Sequence, residues 1–378
     1  MNNSYWLSSV EMGGYKTIKN VTVSFQQGLN IIIGKNGSSK THFFEFLYNT
    51  LQMKFAGVSE FHANLELHYE GNEIKMELIE DKEEYEEDED FEHDDNLEIS
   101  VINNITFNKI ETKRFVHWFG SIDEDIEDFW AAKGVNLFEI EKIDCEIPNN
   151  LPFLHTKGAI STTKQEVIAG GLGDVFIQYC ERHKHDKKYD IAKIRADLAY
   201  EQAKFYEAGE SIRKPLQKYT AIQDMRLHEG MAIAMKGRSV QMTNLIYEFQ
   251  LNEEWLFFND LPNGLKRVVW IISVIVFPHT KLVFLEEPEL GIHPHQLNLL
   301  MKFLKEQSQE KQIILTTHAP QCLDILEADE LSRIIVCEIE EKSTKLSHLD
   351  EKKQAKAKKY MEETDILSNY WRFSELEA

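Results

Sequence analysis

Hydrophobic and polar positions change period several times along this chain, and each change marks an element. "VTVSF" (Val21–Phe25) alternates, "QQG" turns, and "LNIII" (Leu29–Ile33) is continuously apolar, as a strand buried on both faces is. The period then lengthens: Phe43, Phe44, Leu47 and Leu51 in "THFFEFLYNTL" recur at helical spacing. Four short alternating runs follow between residues 62 and 145, "NLELHYEG", "EIKMELIE", "LEISVINN" and "KRFVHWFG", and predict an antiparallel sheet. From Lys164 to about Gly230 the spacing is helical, with Gly209 and Pro215 dividing it into several helices. In "NDLPNGLKRVVWIISVIV" a turn containing Gly264 leads into a long buried helix, whose apolar run is too short to span a membrane. Two more apolar runs, in "KLVFLEEPELGIHPH" and "KQIILTTHAP", predict buried strands that end in polar residues.

Those strand ends carry the candidate chemistry. After "LNIII" the chain reads Gly34-Lys35-Asn36-Gly37-Ser38-Ser39-Lys40-Thr41, which is GxxxxGK[ST] with Ser39 in the second glycine slot. A glycine-rich turn between strand and helix lets several backbone N–H groups converge on phosphate oxygens at the favourable end of the helix dipole. Lys40 would reach the β- and γ-phosphates, and the Thr41 hydroxyl would ligate Mg²⁺. Such a loop needs an acid from a second strand. The adjacent Glu286 and Glu287 would repel one another without a counter-cation. Glu286 would hold Mg²⁺ directly or through water, and Glu287 would orient or deprotonate the attacking water. Taken alone, the pair equally fits a strand surfacing into a loop. His318, just beyond the third strand, stands where a histidine sensing the γ-phosphate would stand, although a lone histidine there is more often structural.

Composition narrows the class without naming it. The 378 residues suffice for one large domain or two ordinary ones. Four separated cysteines with no CxxC argue against a disulfide framework or a cysteine zinc site, and fit a reducing cytosol. No basic region followed by an apolar core stands at the N-terminus, so a cytoplasmic protein without membrane association is expected. The net charge of −22 is uneven, because Glu80–Glu98 holds thirteen acids against one lysine and reads as a solvated acidic loop. The basic clusters Arg182–Lys188 and Lys352–Lys359 read as solvated helix faces before they read as DNA-backbone contacts. His183 and His185 do not share a helix face, which argues against a metal pair.

The motifs in order, "FQQGLNIIIGKNGSSKT", "LPNG", "LVFLEEPELGIHPH" and "TTHAP", resemble an ABC-class P-loop ATPase of the RecF/SMC/OLD-like group. The "EPELGIHP" stretch is the most specific and is unlike transporter subunits. The resemblance covers roughly residues 1–60 and 255–345. It implies an α/β fold, a P-loop NTPase head of ABC type with a mainly parallel core sheet, a flanking antiparallel β-subdomain and a helical insertion. The expected organisation is a single domain over 1–378. It comprises a phosphate-loop lobe (1–150) with the acidic loop 80–98, a helical insertion or lid (151–240), a lobe holding signature, paired acids and histidine (241–345), and a helical tail (346–378).

The resemblance further implies ATP and Mg²⁺ as cofactors and a homodimer that sandwiches ATP. Gly34, Asn36, Gly37, Ser38, Ser39, Lys40 and Thr41 would cradle the nucleotide. Thr41 and Glu286 would hold the metal, with Glu287 as general base and His318 on the γ-phosphate. Asn263 and Gly264 would reach across from the partner subunit. Such heads gate DNA engagement or a separate effector in DNA repair or anti-phage defence. Three residues depart from the pattern. Glu286 stands where the group has Asp, Ser39 puts a Cβ where backbone approaches phosphate, and Pro262 replaces the signature serine. All three point to slow turnover. The family's magnesium-contacting glutamine has three candidates, Gln165, Gln223 and Gln241. No acidic cluster of topoisomerase-primase type follows His318, which disfavours an OLD-type nuclease. The aromatic C-terminus, with Tyr370, Trp371 and Phe373, reads as a docked helix. The rival function is a nucleotide-sensing scaffold that hydrolyses negligibly and holds a toxin or nuclease inactive.

Overall fold

The computed structural model of the protein describes residues 6–51, 61–69, 71–81, 100–107, 111–118, 140–143, 209–230, 232–236, 239–243, 247–276, 280–363 and 366–373. The acidic loop beyond residue 81, most of the expected helical insertion, the Arg182–Lys188 cluster and Gln165 lie outside them. The chain divides into two compact units. The first comprises Met1–Cys145, His279–Glu289 and Leu304–Ala378, and the second Glu146–Pro278 and Leu290–Phe303.

The first unit is built on two sheets. The core sheet has the order β17-β16-β3-β15-β14-β8. Its strands are β3 (Leu29–Ile33), β8 (Ile140–Ile143), β14 (Leu282–Glu286), β15 (Gln312–Thr317), β16 (Ile334–Glu340) and β17 (Ser343–His348). All neighbours pair in parallel except the edge strand β17, which is antiparallel to β16. Every residue of β3, β14 and β15 is buried, as expected for strands covered on both faces. The second sheet, β2-β1-β4-β5-β6-β7, is antiparallel throughout. It contains β1 (Trp6–Gly13), β2 (Val21–Ser24), β4 (His62–Tyr69), β5 (Asn72–Asp81), β6 (Ser100–Phe107) and β7 (Glu111–Trp118). The fold is thus α/β with a mainly parallel core sheet and a flanking antiparallel one.

Helix α1 (Lys40–Leu51) joins the two layers. Phe44 meets Phe284 of β14 edge-on at 5.4 Å, and Phe46 meets Phe61 at 6.0 Å beside the antiparallel sheet. Phe43, Leu47 and Leu51 complete one cluster with Ile32, Ile314, Val10, Met12 and Leu65. Each such side chain contributes about 1.5–3 kcal/mol on burial, so the helix after the loop is fixed by packing more than by helical propensity. Gln312 adds a polar tie between the layers. Its amide accepts from Leu7 N–H at 2.8 Å and donates to the carbonyls of Leu7 and Gln26, each at 2.9 Å, which satisfies a buried group completely.

Lys311, next to Gln312, is a buried cation. Burial pushes its ammonium down to about 8, and nearby Lys281 pushes the same way. The folded value lies below that of the unfolded chain. The cost of burying the charge is therefore fully present below pH 8 and is relieved as pH rises towards 10.5. Lys311→Met should raise stability at pH 7 by about 1–3 kcal/mol and much less at pH 10, as read by urea unfolding at both values.

The tail docks as the aromatic pattern predicts. Helices α5 (Glu351–Glu363) and α6 (Leu367–Phe373) meet through Tyr360 and Tyr370, whose rings are 5.0 Å apart. Trp371 is buried, and Ser368 bonds Asp324 through its N–H at 2.7 Å and its hydroxyl at 2.8 Å.

The second unit corrects three local expectations. Residues 209–219 form one helix (α2) with Pro215 inside it, so the proline removes one N–H from the ladder without breaking it. The helical reading of "SIRKPLQKYTAIQDM" fails after residue 219. There β9 (Asp224–Leu227) pairs with β12 (Tyr247–Leu251), which also pairs β13 (Glu254–Phe257), while β10 (Ala232–Lys236) and β11 (Ser239–Thr243) form a hairpin. Cross-strand pairing overrides the weak local helical spacing. Gln223 is used locally: its side chain accepts from the Glu253 N–H at 2.9 Å. Gly264 is not in a turn but is the second residue of α3 (Asn263–Ile275). A Cβ at Gly264 would lie 2.6 Å from the Gly291 carbonyl, so a side chain there would clash with backbone. Val268 to Ile275 of α3 are buried. Helix α4 (Pro294–Gln307) begins in this unit, where Phe303 meets Tyr219 at 5.5 Å and Gln296 donates to the Tyr219 carbonyl at 2.7 Å. Among the described residues no helix is long and apolar enough to cross a membrane.

Candidate functional site

The site grows from the C-terminal ends of three adjacent parallel strands, in the order β3, β15, β14. Leaving β3, the backbone is held by the Gly34 N–H, which donates to the Thr317 carbonyl of β15 at 3.2 Å. A Cβ on Gly34 would lie 2.2 Å from the Cys337 carbonyl, so only glycine lets the loop lie against β16. The Cys337 thiol also donates to the Ser38 carbonyl at 3.1 Å, and burial pushes that thiol up to about 11, well away from reactivity. Two residues of the loop have left-handed backbone, Gly37 with φ 81° and Ser39 with φ 69°. Alternation of that kind turns successive N–H groups inward and makes an anion-binding concavity.

Ser39 is held where the motif has glycine. A left-handed residue with a Cβ costs about 1–2 kcal/mol, against about 0.5–1 kcal/mol of chain entropy lost by a glycine. Ser39→Gly should therefore stabilise the protein by about 0.5–1 kcal/mol in urea unfolding. A loss of stability instead would mean that the serine side chain outweighs its backbone strain.

Lys40 is buried, and its Nζ donates to the carbonyls of Gly34 at 2.8 Å and Lys35 at 3.0 Å, which keeps the ammonium over the loop's concave side. The same nitrogen lies 3.9 Å from Glu287 Oε1. Thr41 donates its hydroxyl to Glu286 Oε1. The two adjacent acids thus face different partners. The split has a backbone cause. Successive residues of a strand point to opposite faces, but β14 ends at Glu286, and Glu287 takes φ 39° while its N–H still bonds the Thr316 carbonyl at 2.9 Å. That left-handed step turns the second carboxylate onto the rim where the first already lies.

His318 leaves β15 beside them, with Nδ1 3.6 Å from Glu287 Oε1. It lies closer, at 3.2 Å, to Glu289 Oε1, from an acid that the motif reasoning gave no role. Glu289 also accepts from the Thr317 hydroxyl at 2.6 Å and from the His318 N–H at 2.9 Å. Its sequence signal is a third acid immediately after the proline of "EEPE", where a turn can return the side chain to the strand ends. A cavity of about 650 Å³ opens beside the loop, lined among others by Lys35, Asn36, Ile339, Glu340, Lys345 and Trp371.

Of the residues singled out in the sequence, the loop from Gly34 to Thr41, both paired acids and His318 come together in the first unit. Asn263 and Gly264 open α3 in the second unit, after Pro262, which gives the helix no side-chain cap. Thr41 and the buried Glu286 carboxylate are already in contact, and a hydroxyl and a carboxylate are the two protein donors Mg²⁺ takes when phosphates supply the rest, so the donor set fits that ion.

Residues 181–324, which contain the paired acids and His318 but not the phosphate loop, match a family model described as "AAA domain, putative AbiEii toxin, Type IV TA system". The chain is 20% identical over 353 residues to an "ATP/GTP phosphatase" of Helicobacter pylori (strain ATCC 700392 / 26695), covering 85% of this chain and 87% of that protein. Among solved structures, an SmcHead bound to the C-winged helix domain of ScpA is similar at 15% identity over 93% of this chain and 99% of that one, with a TM-score of 0.49. The Smc head domain with an extended coiled coil, bound to the C-terminal domain of ScpA derived from Pyrococcus furiosus, gives 13% identity, 95% and 100% coverage and a TM-score of 0.47.

Proposed function

We propose that this chain, an ABC- and SMC-like P-loop ATPase by its motifs, strand order and family match, works as a slow, dimeric, Mg²⁺-dependent switch. One observation carries the reading. Lys40, Thr41, Glu286, Glu287 and His318 come from three distant chain segments, yet they are linked by a hydrogen bond and by side-chain contacts of 3.9 Å or less.

The backbone N–H groups of the loop and the Lys40 ammonium hold the triphosphate, with the nucleoside in the adjoining cavity. Thr41 and Glu286 would hold Mg²⁺, which when bound would supply positive charge to neutralise the triphosphate. Glu287 orients the attacking water and takes its proton as the water oxygen bonds to the γ-phosphorus and the bond to the departing diphosphate breaks. His318 contacts the γ-phosphate. Asn263 and Gly264 serve the nucleotide of a second copy. The support for this is that Pro262 and Asn263 are exposed at the N-terminus of a thirteen-residue helix, where N–H groups favour anions. Closure and release of two copies would gate a separate effector, or contact with DNA, in repair or anti-phage defence. Ser39, Glu286 and Pro262 each weaken turnover more than binding.

Phosphate release from Mg²⁺-ATP by purified protein, set against Lys40→Ala, tests this. Release by the wild type no faster than by the variant rejects it. The left-handed Ser39 and the uncapped Pro262 favour a second reading, a scaffold that binds ATP without turnover and restrains a toxin or nuclease. Equilibrium ATP binding with no phosphate release selects that one.

A further inference from the structure

We infer that Glu289 is a positioning residue that holds His318 away from Glu287 and so keeps the general base available to water. The inference rests on the ATPase reading above. Pro288 turns the chain after β14, and the Glu289 side chain comes back under the end of β15 with only 7% of it exposed. One oxygen, Oε1, accepts from both the Thr317 hydroxyl and the His318 N–H. The Thr317 hydroxyl in turn accepts from the Ala319 N–H at 2.9 Å, so the whole 317–319 turn hangs on one carboxylate.

A purely structural clamp would need no more than that. Yet the second oxygen, Oε2, is buried and, among the described residues, makes no hydrogen bond. The Nδ1 of His318 is buried and unbonded too. Buried polar atoms are nearly always paired, so unpaired atoms on two side chains in contact call for an explanation. Here a small rotation of the imidazole joins Nδ1 to Glu289. The ring has two carboxylates to choose from, Glu289 at 3.2 Å and Glu287 at 3.6 Å. Which one binds Nδ1 fixes where the opposite nitrogen points. Bonded to Glu289, the ring turns its Nε2 edge to a phosphate and leaves Glu287 to the water. Without Glu289, Glu287 is the remaining carboxylate at Nδ1, and the base is occupied by a neighbour.

The test is steady-state ATPase kinetics on full-length variants, with the histidine ring signals read by NMR on protein labelled in its histidines. Glu289→Ala is expected to lower kcat about tenfold with KM within about twofold, because nucleotide contacts are untouched. Glu289→Gln, whose amide oxygen still accepts at the turn but whose amide nitrogen cannot accept from Nδ1–H, should lose kcat as Glu289→Ala does, which separates the ring's role from the turn's. Added to His318→Ala, Glu289→Ala should cost less than about twofold more, since it acts through that ring. Full kcat in Glu289→Ala, KM rising in step with the loss of kcat, or additive loss in the double variant would each overturn the inference. If the wild type releases no phosphate, the ATPase reading fails by itself and the ring signals decide. Movement of the His318 signals in both Glu289→Ala and Glu289→Gln upholds the positioning role, and unmoved signals in Glu289→Ala overturn it.

Discussion

Lys40→Ala should lower kcat/KM for Mg²⁺-ATP by about 10²–10³-fold, the loss seen when a preorganised electrostatic donor is removed from a developing charge. The reason lies in how the ammonium is held. Gly34 and Lys35 carbonyls fix Nζ over the loop, and the side chain is 4% exposed, so almost no reorganisation precedes phosphate contact. Alanine removes the charge and the donor to the Gly34 carbonyl, while the Lys35 carbonyl keeps the Ser38 N–H at 3.2 Å. Binding should weaken with turnover, because the charge meets ground-state phosphates as well as the transition state. Equilibrium binding of a fluorescent ATP analogue and phosphate release, measured on the same preparations, check both. A variant that bound and hydrolysed like the wild type would place the nucleotide elsewhere.

Glu287→Gln should behave differently. Loss of a general base costs about 10²–10⁴-fold in the chemical step, while the amide keeps the side chain's size. The substitution also removes the negative charge 3.9 Å from Lys40 and 3.6 Å from His318. ATP affinity should therefore hold or rise as turnover vanishes, since one anion no longer competes with phosphate for Lys40. Two copies closed on unhydrolysed ATP should then persist. Sedimentation with Mg²⁺-ATP is expected to show a dimer for Glu287→Gln and mostly monomer for Lys40→Ala. Monomer in both would remove the sandwich from the proposal, and unchanged turnover in Glu287→Gln would remove the base.

The contrast between these variants depends on two acids that sit side by side in sequence and act on different partners. Periodicity located them at a strand end, because "LVFL" is a buried parallel strand and its polar residues come where the sheet stops. It could not say that both carboxylates share a rim, since alternation alone sends neighbours to opposite faces. The same limit applied to Glu289. Its place after Pro288 allows a return to the strand ends but does not tell that it bonds a turn contributed by a different strand. Residues 224–227 failed for the complementary reason: a weak helical pattern there yields to pairing with a strand further along the chain. Pro215 was over-read as a helix breaker.

What the sequence determined by itself was local. Continuous apolar runs set β3, β14 and β15, helical spacing set α1, and the order of glycines, lysine and threonine set a loop able to cradle phosphate. Each of these is written within a dozen residues, the range over which backbone sterics and side-chain period act. Tertiary structure decided which strand ends became neighbours, in the order β3, β15, β14. It also imposed a left-handed step at Glu287 and gave Glu289 to His318. Those outcomes depend on hydrogen bonds between strand ends 28 or 29 residues apart or, for Thr41 and Glu286, 245 apart, and distance along the chain carries no record of them.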